Sequence, residues 1–178
     1  MRTIDTGTDD LLGVVDEGVA TLTMNRPERR NAMSRAMNEA LARVLAEVEV
    51  ADDVGCVVLT GAGGAFCAGG DVKGMASGGD AGAGQPTTYD AVVHRQRLNQ
   101  RATSQRLYEM PKPTIAALPG AAAGAGLSLA LACDLRYAAS SAKLGQPEVN
   151  LGIIPGWGGT QRLARVCGLG VAKELIFT

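Results

Sequence analysis

Residues 112–138 read KPTIAALPGAAAGAGLSLALACDLRYA. From Thr114 to Cys133 no residue is charged, and an uncharged run of about 20 residues is long enough to cross a bilayer. Pro119-Gly120 interrupts the run, and much of the rest is alanine and glycine, whose insertion energies are weak. A buried strand (KPTIAAL), a turn, a small-residue helix (GAAAGAGLSLALACD) and a second strand (DLRYAA) explain it better. That reading makes the stretch one strand–glycine–helix–strand unit.

The same units recur on either side. LLGVVDEGVATLTM (11–24) predicts two short strands around the turn Asp16-Glu17-Gly18. Ser34 is a helix cap, and Met37, Leu41, Val44, Leu45 and Val48 fall on one face at helical spacing, up to Asp52-Asp53. Cys56–Thr60 is an apolar, β-branched run suited to a buried strand, and it enters the glycine-dense loop GAGGAFCAGGD (61–71). Residues 74–88 are low-complexity and predict a flexible loop. Tyr89–Met110 is an Arg-rich helix, and the chain stops at KELIFT within or just after an amphipathic helix. Strands alternating with helices across glycine junctions predict a single α/β domain over residues 1–178.

Bulk properties narrow the partners. The net charge is −1 and aromatics make up 3% of the chain, which argues against nucleic acid or an anionic membrane surface as a partner. The four cysteines are far apart, with no C-x-x-C, so neither a disulfide frame nor a zinc site is expected and no metal is assigned. The first residues, MRTIDTGTDDLLG, hold no signal-peptide core and carry acids that a transit peptide avoids. These features predict a cytoplasmic protein.

The glycine loops fail the phosphate-binding patterns. Phe66 stands where a dinucleotide fingerprint needs its third glycine, and no G-x-x-x-x-G-K-[ST] occurs. A glycine loop that follows a strand and opens a helix can instead aim free N–H groups at a developing negative charge. Ala68-Gly69-Gly70 and Gly124-Ala125-Gly126 are two such loops, although close backbone packing alone would also call for their glycines. In GQPEVNLGIIPGWGGTQRL (145–163) a single acid, Glu148, stands among apolar residues. Such a carboxylate is either a surface group at a strand end or one kept for proton chemistry.

Taken in order, NRPERRNAM, LTGAGGAFCAGGDVKGM, KPTIAALPGAAAGAGLSLALACDLRYA and GQPEVNLGIIPGWGGTQRL resemble the crotonase (enoyl-CoA hydratase/isomerase) family, in register from about Val14 onward. The resemblance implies a spiral of ββα units that binds coenzyme A thioesters. It implies no cofactor beyond the coenzyme A of the substrate. Gly70 and Ala125 match the two N–H donors of the oxyanion hole. Ala68, Asp71, Val72 and Lys73 match the adenine and pantetheine path, and Lys73 with Arg29 or Arg30 would meet the phosphates. Glu148 matches a general acid/base, its pKa raised by burial against Leu151, Ile153 and Ile154, with Gly156 offering an N–H to a water or to the carboxylate.

The chain departs from the hydratase pattern at one position. The second acid is replaced by Ser128, which could hydrogen-bond a water or substrate but needs an activating partner to act as a base. Hydration, a 1,3 proton shift by Glu148 alone, and non-catalytic acyl-CoA binding are the three functions this leaves. His94 reads as a surface residue, Trp157 as pocket lining or packing, and Cys67 as lacking a base. The resemblance also implies C-terminal helices beyond KELIFT that build a trimer or hexamer, so the expectation is a core domain without them.

Overall fold

The structure, a computed structural model, describes residues 1–72 and 88–178. Three strands open the chain: β1 (Arg2–Ile4), β2 (Leu11–Asp16) and β3 (Val19–Met24), each antiparallel to the one before it. Alternate residues of β2 and β3 point inward, burying Leu11, Val15, Ala20, Leu22 and Met24. β1 carries too short a pattern to be read from sequence. It is tied down by Arg2, whose guanidinium donates to Asp53 at 2.9 Å and 3.0 Å.

Ser34 caps α1 (Arg35–Val50) as expected, its hydroxyl accepting from the Met37 N–H at 3.0 Å. Met37, Leu41, Val44, Leu45 and Val48 are all fully buried. Each contributes about 1.5–3 kcal/mol by leaving water, against the entropy of ordering it. Lys112 ends the helix from outside, its ammonium donating to the Val48 and Ala51 carbonyls at 2.8 Å and 2.6 Å.

From β4 (Cys56–Gly61) onward the strands of the main sheet run parallel. The sheet has six strands, and β4 pairs with β3 on one side and β5 (Thr114–Leu118) on the other. Between β4 and β5 runs a helical stretch: α2 (Tyr89–Gln100), a π turn at Arg101–Gln105, and α3 (Arg106–Glu109). Thr88, the last residue of the expected loop, caps α2 by accepting from the Ala91 N–H, while residues 74–87 lie outside the described residues.

The decisive stretch, 112–138, folds as β5, β6 (Ala122–Ala123), α4 (Ala125–Ala132) and β7 (Leu135–Ala138). All of α4 except Ala125 is buried, which explains the absence of charge without a bilayer. No helix among the described residues is long and apolar enough to cross a membrane. Thr114 and Asp134 lock the β5 and β7 ends together, with both Thr114 donors 2.8 Å from the Asp134 carboxylate.

The spiral is visible in the second sheet. β6 pairs with β8 (Leu144–Gly145) and is bridged by Cys67. After β4, β5 and β7 the chain thus leaves the main sheet, touches the small one, and continues. After β6 it enters α4; after β8 it enters a 3-10 turn at Pro147–Leu151 and then α5 (Gly159–Phe177). The fold is α/β, and the small sheet collects the three glycine-bearing segments.

Candidate active site

The two glycine loops touch. A β-carbon at Gly69 would lie 3.1 Å from the Ala123 carbonyl oxygen and 3.5 Å from the Ala125 nitrogen. The Ala123 N–H donates to the Cys67 carbonyl at 2.9 Å and fixes this approach. Ala125 is the first residue of α4, so its N–H has no intrahelical carbonyl to bond. Among the described residues the Gly70 N–H has no backbone acceptor either. Two unengaged donors thus stand on adjoining loops.

The NRPERRNAM connection runs beside the first loop. Asn31 is fully buried and holds it: its Oδ1 accepts from the Arg26 N–H at 2.8 Å. Its Nδ2 donates to the Ala62 and Ala65 carbonyls at 2.8 Å and 2.9 Å. The Met33 N–H donates to the Gly69 carbonyl at 2.8 Å. Between the two segments lies a cleft of about 490 Å³, walled in part by Arg29, Arg30, Gly70, Asp71 and Val72. Ala68 is exposed beside Arg30, whose carbonyl accepts its N–H at 2.9 Å. The Asp71 carboxylate accepts from Arg26 at 3.0 Å, an ion pair that sequence reading missed because neither partner stands in a motif for it. Lys73 lies outside the described residues.

Glu148 stands on the other side of Gly124. Gly124 has φ 53 and ψ −126, a backbone that side chains rarely adopt, and a β-carbon there would sit 3.3 Å from Glu148 Oε1. The missing side chain seats the carboxylate at the start of α4. Glu148 is only 9% exposed, and burial pushes its pKa above the ordinary 4.5, opposed by a backbone hydrogen bond to its own residue. Burial is the expected cause, but the expected neighbours do not supply it. Leu151, Ile153 and Ile154 are 53%, 57% and 80% exposed, and within the 3-10 turn Glu148 alone is buried.

Gln146 joins the two positions that matter most. It is fully buried, 3.1 Å from Ser128 Oγ. With its oxygen turned to accept from the Ser128 hydroxyl, its Nε2 donates to both Glu148 oxygens at 3.0 and 3.1 Å. The opposite orientation sets the amide oxygen against the carboxylate, so this one is assigned. Gly159 closes the network from above: a β-carbon there would be 2.4 Å from Ser128 Oγ. Sequence reading passed over Gln146, although it stands two residues before Glu148.

Gly156 lies beside Gln100, and among the described residues no hydrogen bond joins it to Glu148. The Trp157 N–H donates to Gln100 Oε1 at 3.2 Å, and its ring packs partly against the core. His94 is exposed on α2. The Cys67 thiol is buried and pushed up to about 12, which removes it as a nucleophile.

Residues 15–178 match the family model described as enoyl-CoA hydratase/isomerase. The chain is 42% identical to the short-chain-enoyl-CoA hydratase of Clostridium acetobutylicum over 90% of its length, and 44% identical to the human mitochondrial enoyl-CoA hydratase domain-containing protein 2 over 92%. The crystal structure of an enoyl-CoA hydratase from Bacillus anthracis superposes with a TM-score of 0.81 at 40% identity, over 95% of this chain. The chain spans 58% and 53% of those two relatives and 62% of that solved chain. By match and by fold, the chain belongs to the enoyl-CoA hydratase/isomerase family.

Proposed function

We propose that the chain is the core of an enzyme that performs proton chemistry on 2-enoyl-CoA thioesters, with hydration as its principal reaction. The observation that carries this reading is Glu148, a carboxylate of raised pKa seated on Gly124 beside the unengaged N–H groups. The Gly70 and Ala125 N–H groups hold the thioester oxygen as it gains charge, at about 3–4 kcal/mol per donor. Glu148 takes a proton from water as the water oxygen bonds to carbon 3. The double-bond electrons move onto the thioester oxygen, and Glu148 returns a proton to carbon 2. Coenzyme A lies along the cleft with its phosphates near Arg29 and Arg30. No further cofactor takes part.

A second reading is favoured by Ser128. Its hydroxyl is buried and bonded to Gln146, so it does not replace the missing acid. Isomerisation needs one base only: Glu148 removes a proton from carbon 4 and returns one to carbon 2, or the reverse. A family member that binds thioesters without turning them over is the remaining alternative. Four free thiols suit a reducing compartment such as the cytoplasm, and a trimer or hexamer is the assembly we infer when the C-terminal helices are present.

Incubation of a 2-enoyl-CoA in deuterated water, read by mass spectrometry, tests the reading. Mass gain of one heavy water means hydration. Deuterium uptake without added water means isomerisation. An unchanged spectrum with binding retained overturns both and leaves the binder.

A further inference from the structure

A second cleft, of about 240 Å³, lies between the α2–π-turn stretch and the turn that precedes α5. Its walls carry three guanidinium groups, Arg97, Arg101 and Arg162, with Gln100, Gln105 and Trp157. Arg162 is 7% exposed, yet its direct acceptors are neutral: the Trp157 carbonyl at 2.7 Å and Gln105 Oε1 at 3.3 Å. Among the described residues no carboxylate forms an ion pair with any of the three. Glu109 accepts from the Gln105 amide, lines a neighbouring hollow with Arg101 and acts on Arg162 through space, and Asp90 lines another hollow with Arg97. Three cations line the cavity and no acid among the described residues lines it, which suits an anion, and planar guanidinium groups suit a carboxylate.

The cleft shares a wall with the reaction site. Gly159 packs on Ser128 and Gln146, the partners of Glu148, while Gly158 packs on Arg162 and Trp157 binds Gln100. One tight turn therefore separates the Glu148 network from the arginines. The π turn supplies Arg101 and Gln105 to the cleft and itself packs against α4.

We propose that this cleft binds a carboxylate at the far end of the acyl chain, so that the preferred substrates are enoyl thioesters of dicarboxylic acids. This rests on the acyl-CoA reading above. A neutral acyl tail would leave the arginines with no charged partner in the cleft, whereas a carboxylate would pair with at least two of them.

The test is equilibrium binding of saturated acyl-CoA thioesters in matched pairs, one ending in methyl and one in carboxylate, over a ladder of chain lengths. Arg97→Gln and Arg101→Gln, both at exposed helix positions, are measured beside the unaltered chain. At the fitting length the carboxylate thioester should bind at least about tenfold more tightly. The double variant should bring that preference to near parity while leaving the methyl thioester unchanged. Equal binding of each pair at every length overturns the proposal and leaves the acyl-CoA reading intact, as does a preference that survives both substitutions. Binding of neither thioester overturns both. A free dicarboxylate that binds as tightly as the carboxylate thioester overturns the assignment to the acyl tail.

Discussion

In the proposed mechanism Gln146 tunes Glu148, because it gives the carboxylate its only side-chain donor among the described residues. Hydrogen bonds to the ionised form favour it and so restrain the upward push of burial. Gln146→Leu should therefore raise the acid limb of the rate profile and lower kcat/KM by roughly thirtyfold, from about 2 kcal/mol of lost charged hydrogen bonding. A pH titration of kcat/KM separates this from a merely structural defect, which would lower the rate without moving the limb. Gly124→Ala acts on the same carboxylate from below. Its β-carbon would press on Glu148 Oε1 in a strained backbone, and a displacement of about 1 Å should cost about a hundredfold in kcat at little change in KM. Glu148 itself was legible as the lone acid of its stretch. Gln146 was not, since a neutral amide carries no signal until its neighbours are known. Burial as the reason for the raised pKa was read correctly, but not the residues that bury it: the apolar residues after Glu148, Leu151, Ile153 and Ile154, are exposed.

At the scale of elements, the site depends on segments that hold the glycine loops rather than on the loops themselves. Asn31 is the clearest case, with three hydrogen bonds from one buried amide to Arg26, Ala62 and Ala65. Asn31→Ala would leave two carbonyls unsatisfied and put alanine at φ 56. The expected loss is about 2–4 kcal/mol of stability with a raised KM for coenzyme A thioesters, checked by thermal melts and steady-state kinetics. Ser34→Ala removes the cap of α1 and should cost about 1 kcal/mol while leaving KM unchanged, since Ser34 lies outside the cleft. Elements of this kind were readable where a pattern is long: the α1 stripe, the β2–β3 alternation and the apolar run of β5. β1 has three residues and no usable period, and the π turn arises inside an unbroken helical stretch. Both are set by tertiary packing.

Across the whole molecule, the seat of Glu148 is a cost to folding. Its carboxyl titrates above 4.5 in the folded chain, so the unfolded chain ionises first. Stability falls as pH rises from the unfolded value through the raised one. Glu148→Gln should therefore raise Tm at pH 7, with the difference vanishing below the ordinary carboxylate range, as calorimetry would record. The main sheet and the small sheet were legible together only through the order of the motifs, because β6 and β8 have two residues each. The central claim is that one buried carboxylate carries the proton. The pH dependence of kcat/KM on a 2-enoyl-CoA, for the unaltered chain beside Glu148→Gln, tests it most directly. An acid limb above 4.5 that disappears in the variant, with a loss of about a hundred- to ten-thousandfold, is the predicted result. A variant that keeps both the rate and the limb would contradict it.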